Sequence, residues 1–425
     1  MEKQSFEKLQ LNLYHEKLDN GLNIYIVPKE NINNKYVTFV TNFGAMHNEF
    51  IPNGKDEMVK VPDGVAHFLE HKAFEQEDGV DPFTYFIKHG CDSNASTDSY
   101  KTMYLFSGPI NFENNLEYLL DFVQTPYFTD ENVESEKGII VQEVEMYKDA
   151  PYRVLYEKSV FNSFKIHPIR YSGCGSVESV NAITKEDLYT CYNTFYHPAN
   201  MFVVITGSVD PLKTIEIIKN NQAKKEYTND FHVTVKKYLE PDTVFKEKEI
   251  LKMDVTISKF SINYKFNISK LNMNKNILMM YLSIFSNIKF GSVSLFSENL
   301  KKDNIITSDM ETTIIYTDNH LLLMISNDTE KPDELENKIM EEILIDNITE
   351  DDFNRKKKIC LSSLIHMSDD IFSINSKVIN DVIINGEVNT NIYNDINNMN
   401  FEELKNILSN LSFDNHSTLI INPKN

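Results

Sequence analysis

The sequence predicts two similar α/β units in one chain. Three observations carry this. The chain has 425 residues, more than one compact core of roughly 100–200 residues accommodates. Stretches with strand and helix periodicity alternate in the same order in both halves. A polar, Lys-rich stretch that begins "NQAKKEYTND" separates them. These place one unit at 1–222, a linker at 223–246 and a second unit at 247–425.

The first elements are strands. "GLNIYIVPK" alternates apolar and polar residues and stops at Pro28. "KYVTFVTNFGA" is β-branched and aromatic and ends near Gly44. In "PDGVAHFLEHKAF", Asp63 is the expected N-cap, and Val65, Phe68 and Leu69 suit a helix. "DPFTYFIKHG" reads as a second helix with Gly90 as its stop. "SNASTDSYKTMYLFSG" reads as turn residues followed by a strand over Thr102–Phe106.

Two helices come next. "FENNLEYLLDFVQTP" ends before Pro126. "TDENVESEKGIIVQEVEMYKDAP" starts at Thr129 or Asp130, with Val133, Ile140, Val144 and Tyr147 at helical spacing. In "ITKEDLYTCYNTFY", Thr184 and Asp187 form a capping-box start. "NMFVVITGSVDP" is a buried strand. After the linker, "DVTISKFSINYKF" begins the second series. The Asn-rich stretches near 373–410 read as surface helices and loops.

Hydrophobic content of 41% and charged content of 25% describe an ordinary globular protein. The formal net charge of −21 opposes nucleic-acid binding, which needs a basic surface. It could favour cationic peptides. Four cysteines, Cys91, Cys174, Cys191 and Cys360, form no C-x-x-C, which argues against a disulfide framework and a cysteine-based metal site. "MEKQSFEKLQ" has no secretory pattern, and no apolar run approaches the ~18–20 residues of a membrane span. The expectation is a cytoplasmic protein without membrane or nucleic-acid partners.

The chemistry lies in "GVAHFLEHKAFE". Four residues advance a helix by about 40° net, so His67 and His71 share a face and can reach one cation. Glu70 lies near that face, placed to act beside the cation rather than as a ligand. A catalytic zinc needs a third protein ligand and an open position. "SEKGIIVQEVEMY" offers Glu136 and Glu143, two turns apart beside Ile139 and Ile140. Glu145 points about 160° away from Glu143 and cannot share the site.

These residues resemble the insulinase/pitrilysin metallopeptidases, whose His-x-x-Glu-His motif inverts the zincin order. Further stretches are similar to that family: "GCDSNASTDSYKTMY", and the run from "GSVESVNAITKEDLY" to "YHPANMFVVITGSVD". The wording "EKGIIVQEVEMYKDAP" is similar to half-length members of Gram-positive bacteria.

The resemblance implies an α+β fold of two similar sandwich units, each a mostly antiparallel sheet with helices packed on it. It implies Zn²⁺ as cofactor, with His67, His71 and Glu143 as ligands. Glu70 is then the general base and Glu136 the carboxylate that supports the ligands. Asn94 and Ala95 lie on an edge strand that pairs with peptide substrate. The unit at 1–222 bears the zinc; 247–425 lacks the motif.

The implied function is zinc-dependent hydrolysis of peptides, in peptide maturation or processing, by a homodimer or a heterodimer with a related chain. The family often carries an Arg and a Tyr in its second unit, and here those positions fall near Lys301 and Thr307. That departure also fits a regulatory or assembly subunit that binds zinc and peptide but needs a partner to cleave. A catalytically idle peptide-binding module is the third reading, and Glu70 argues against it, because binding needs no general base.

Overall fold

The computed structural model describes residues 1–228, 231–271 and 273–424; residues 229 and 230 of the expected linker lie outside the described residues. In chain order the first half runs β1 (Glu2–Phe6), β2 (Leu11–Lys17), β3 (Asn23–Pro28), β4 (Lys35–Thr41), β5 (Glu49–Ile51), β6 (Val59–Lys60), α1 (Val65–Ala73), α2 (Pro82–Lys88), β7 (Asp92–Thr97), β8 (Thr102–Gly108), α3 (Phe112–Val123), α4 (Asp130–Lys148), α5 (Pro151–Ser163), α6 (Val177–Ala182), α7 (Lys185–Phe195), β9 (Met201–Gly207) and α8 (Pro211–Gln222). The second half runs β10 (Thr234–Val235), β11 (Lys248–Met253), β12 (Ser258–Asn267), α9 (Lys275–Phe290), α10 (Leu295–Lys302), β13 (Glu311–Tyr316), β14 (His320–Thr329), α11 (Pro332–Leu344), α12 (Glu350–Met367), α13 (Ile371–Asn385), α14 (Ile392–Asn398), α15 (Phe401–Ser409) and β15 (His416–Pro423).

Contacts group these elements into two units. The first comprises Met1–Val144, Ser172–Lys237 and Leu364–Tyr393; the second takes Glu145–Tyr171, Tyr238–Ser363 and the chain from Asn394. One passage between units, Lys237 to Tyr238, falls inside the expected linker. The other passages have no signal in the polarity of the chain. They arise because each half of the chain lends one helix to the sheet of the other half.

The first unit holds a seven-stranded sheet in the order β1-β2-β3-β9-β4-β8-β7. Its neighbours are antiparallel, except that β3 and β9 run parallel. β9 is buried along its whole length, as a central strand with no polar face must be. β4 alternates across the sheet. Thr38 Oγ1 donates to Asn375 Oδ1 of α13 at 2.9 Å, whereas Phe39 pairs in register with Tyr104. The Tyr104 ring meets Phe74, just past α1, and Phe122 of α3. Thus α13 covers one face, and α1 with α3 the other. Asn375 also donates to the Val204 carbonyl at 3.1 Å, so both halves of its buried amide are satisfied.

This overturns the surface reading of 373–410. In α13, Ile371, Ile374, Val378 and Ile379 are buried, each stabilising by about 2 kcal/mol. The Asn-rich composition hid an apolar stripe at helical spacing. A small sheet, β10-β5-β6, completes this unit.

The second unit holds the sheet β11-β15-β12-β14-β13, antiparallel except for the β11–β15 pair. α5 lies on it: Ser159 and Ser261 hydroxyls meet at 2.6 Å, and Leu155 packs with Met324, Leu419 and Ile421. Both units are therefore mostly antiparallel sheets clad with helices, the α+β class that was expected.

The stretch Lys275–Lys302 is long and apolar enough to cross a membrane by length and composition, at mean hydropathy 1.2, which the sequence reading did not expect. Half of that window is buried. Gly291 to Ser294 break it into α9 and α10, and α9 buries Leu278, Tyr281, Leu282 and Phe285. The apolar composition here belongs to a core helix.

The linker residues dock through Glu240. Its carboxylate accepts the N–H groups of Lys165, Ile166 and His167 at 2.8 Å and the Lys265 ammonium at 2.6 Å. His167, 8% exposed, accepts the Ile169 N–H on Nδ1 at 3.2 Å. Burial pushes its imidazole down from 6.5 to about 4; Glu240 and Asp318 oppose this, and His320 and Lys265 add to it. The unfolded chain thus takes a proton that the folded chain refuses. The stability this contributes is whole above about 6.5 and is lost as pH falls toward 4, by at most about 3 kcal/mol. His167→Asn keeps an acceptor at the cap and cannot titrate, so its denaturant midpoint should fall less steeply over that window; equal slopes would remove His167 from the acid response.

Candidate metal centre

α1 carries the paired imidazoles. It starts without the expected Asp63 cap. Gly64 stands there instead at φ 92°, a conformation that glycine adopts without a Cβ penalty, and the Asp63 carboxylate accepts from Asn48 Nδ2 at 2.5 Å. Val65, Phe68 and Leu69 are buried. This pins the apolar face and leaves His67 and His71 on one side, their rings 4.6 Å apart.

α4 brings the acids. Thr129 Oγ1 accepts the Asn132 N–H at 3.1 Å and starts the helix. Val133, Ile140 and Val144 are buried and set its rotation. Ile139 is 55% exposed, so the stripe beside the acids is narrower than the sequence reading had it. Glu145 points away and pairs with Lys148 at 2.7 Å, as its angle required.

The two helices converge on one atom. Glu143 Oε2 lies 3.7 Å from His67 Nε2 and 3.6 Å from His71 Nε2. Charge-assisted hydrogen bonds would draw such atoms to about 2.8 Å. Two bonds of about 2.1 Å meeting at a tetrahedral angle hold their donors about 3.4 Å apart. The observed spacing fits a zinc-sized cation between them. His71 Nδ1 gives its proton to Glu136 Oε1 at 2.9 Å, which leaves Nε2 with its lone pair toward Glu143, the arrangement that metal-binding imidazoles need. Burial pulls the His71 imidazole down, and the carboxylates of Glu136, Glu70 and Glu143 outweigh it and raise it. Burial opposes ionisation of Glu136, but the His71 hydrogen bond and charge outweigh it and hold its carboxyl low.

Glu70 is on the same helix but is not drawn to that point. Burial pushes its carboxyl up, and Thr97 Oγ1 donates to Oε2 at 2.6 Å. Thr97 ends β7, an edge strand that among the described residues pairs only with β8. Asn94 and Ala95 lie on this strand; the Ala95 N–H is held by Asn94 Oδ1 at 2.9 Å. In sequence this strand reads as turn residues, because its side chains are polar and it runs on an edge exposed to water.

Two residues escaped that reading. Thr97 showed no spacing that tied it to Glu70. Cys174, set aside with the other cysteines, lies with His67 and Glu143 in a group whose donor atoms are all within 4.8 Å. Lys301 and Thr307 belong to the second unit, where the Lys301 ammonium pairs with Asp309.

A helical imidazole pair, a carboxylate from a second helix, and a separate carboxylate held beside an open sheet edge are the donor set of a candidate metal-dependent hydrolase. The profile of "Insulinase (Peptidase family M16)" matches residues 57–172, and that of "Peptidase M16 inactive domain" matches 182–360. The chain belongs to this family and is a zinc metallopeptidase of insulinase type. The Bacillus subtilis (strain 168) protein described as uncharacterized zinc protease YmfH is 43% identical over 332 residues, covering 78% of this chain and 77% of that one. The crystal structure of an M16-like peptidase from Alicyclobacillus acidocaldarius superposes with TM-score 0.92 at 28% identity, covering 98% of this chain and 99% of that one. Mitochondrial-processing peptidase subunit beta of Caenorhabditis elegans is 27% identical over 169 residues, 38% of this chain and 36% of that one.

Glu136→Gln should weaken zinc binding about 10–100-fold through loss of the imidazole's anchor, read by chelator competition. Glu143→Gln should weaken it further. Stoichiometric metal in the Glu143 variant would assign the third ligand elsewhere.

Proposed function

We propose that this chain hydrolyses extended peptides, with His67, His71 and Glu143 holding the zinc and Glu70 as general base. The observation that carries this is the convergence of two helical Nε2 atoms on one Glu143 oxygen, at 3.6 and 3.7 Å. The bound zinc supplies a Lewis acid that polarises a carbonyl and acidifies water.

Glu70 takes a proton from the attacking water and delivers it to the leaving amine. Its carboxyl, raised by burial, sits closer to neutrality than an exposed one, which suits a group that must accept and return a proton. The Thr97 hydroxyl donates to Oε2 and orients the carboxylate. Glu136 keeps the His71 ring in one orientation. Peptide lies along the open edge of β7 and bonds through its backbone near Asn94 and Ala95. Such pairing reads an extended shape, so specificity for sequence is broad.

The same reading makes the chain a catalytic subunit of a homodimer or a heterodimer with a related chain, in peptide maturation or processing. Its similarity to a mitochondrial-processing peptidase subunit supports pairing. Four free cysteines support a reducing, cytoplasmic setting. One observation favours a second reading, a subunit that does not cleave alone. Where the family carries Arg and Tyr, Lys301 is engaged by Asp309 and Thr307 is exposed.

Glu70→Gln should retain zinc and lose peptide hydrolysis by about 10²–10⁴-fold; an unimpaired variant removes Glu70 from the chemistry. Purifying the chain alone and together with a related family member, then assaying peptides with and without chelator, separates the two readings. Chelator-sensitive cleavage by the lone chain supports the first, and cleavage only in the mixture supports the second.

A further inference from the structure

Thr97 reaches Glu70 from the last position of β7, an edge strand whose end would fray without further contacts. Two features hold its backbone. The turn after it is closed by the Asp98 N–H on the Lys101 carbonyl at 2.9 Å, and Asp98 Oδ1 accepts the N–H groups of Tyr100 and Lys101 at 2.7 and 2.9 Å. The loop that follows β4 then seats the turn. The Ala45 N–H donates to the Asp98 carbonyl at 2.9 Å, and the Met46 N–H to the Ser99 carbonyl at 3.1 Å. A Cβ at Gly44 would meet the Asp98 carbonyl oxygen and the Tyr100 and Lys101 nitrogens at 2.5 Å, so this approach needs glycine.

The side chains continue the clamp. Thr102 of β8 stands opposite Thr97 in register, with Thr41 of β4 on its other side. It is fully buried. Its Oγ1 lies 3.2 Å from Thr97 Oγ1 and donates to the Phe43 carbonyl, in the loop that seats the turn, at 2.9 Å. Glu70 Oε2, Thr97 Oγ1, Thr102 Oγ1 and the Phe43 carbonyl thus form one row that runs into the sheet. A hydroxyl has one proton, and an ionised carboxylate only accepts. The carboxylate is the stronger acceptor, so the Thr97 proton goes to Glu70. Thr102, anchored on the Phe43 carbonyl, is the second contact of the Thr97 hydroxyl. Two valines would serve the strands as well, but they would leave Glu70 without this support.

We infer that Thr102 is a positioning residue for the hydrolysis: through Thr97 it fixes the Glu70 carboxylate in the orientation from which it takes the proton of the attacking water. This rests on the reading of Glu70 as general base. Orientation matters here because a reacting group misplaced by about 1 Å can lose about 100-fold in rate.

The test is peptide-hydrolysis kinetics of the full chain, in whichever preparation cleaves, the lone chain or its mixture with a related family member. Thr102→Val should lower kcat about tenfold or more and leave KM within about twofold, with zinc affinity in chelator competition unchanged. Thr102→Ser restores the hydroxyl and should recover most of the rate. In the Glu70→Gln background, Thr102→Val should lower the remaining rate no further, because a residue that acts through Glu70 has nothing left to position. Thr102→Ala carries the same comparison should the valine variant not fold. Equal losses in both backgrounds would make Thr102 purely structural and overturn the inference. So would a lowered denaturant midpoint with kcat unchanged. Thr102→Val at full activity removes Thr102 and leaves Glu70 standing, whereas Glu70→Gln at full activity removes the base and the inference with it. Cleavage by neither preparation removes the reaction itself.

Discussion

Lone pairs brought together in a half-buried space repel unless a cation or a proton stands between them. His71 gives its Nδ1 proton to Glu136 at 2.9 Å, so its Nε2 lone pair faces the Glu143 oxygen across 3.6 Å. His67 brings its own Nε2 to the same oxygen at 3.7 Å. Packing on either side holds these groups together. Buried Val65, Phe68 and Leu69 anchor α1, and buried Val133, Ile140 and Val144 anchor α4. Neither helix can turn its donors outward without exposing that apolar surface, at about 2 kcal/mol for each large side chain. The folding free energy of the unit is what pre-organises the metal centre.

The sheet adds the second requirement of the site. β9 and β4 are central and apolar, so the sheet grows outward to a polar edge at β7. That edge would invite pairing with any extended chain. Here it lies beside the metal centre, because Thr97 at its end meets Glu70 of α1.

Helix exchange between the halves of the chain explains why the domain pattern was not legible as a simple cut. α13 belongs to the first unit because Thr38 and Val204 satisfy its buried Asn375. α5 belongs to the second because Leu155 completes an apolar cluster with Met324, Leu419 and Ile421. The polar linker near 223–246 marks one passage of the chain. The others lie inside ordinary helical sequence.

What the sequence by itself determined was local. His67 and His71 share a face because 3.6 residues make a turn, and Glu136 and Glu143 share one two turns apart for the same reason. Of the strands of the first unit, β3, β4, β8 and β9 were legible in their apolar and β-branched residues, whereas β7 read as turn residues. What only the tertiary structure decided was which distant side chains arrive. Thr97 reaches Glu70, and Cys174 reaches His67, through loop closure and the docking of Gly64 against Gly175. No periodicity records such closures, because they depend on how whole elements pack and not on spacing along one of them.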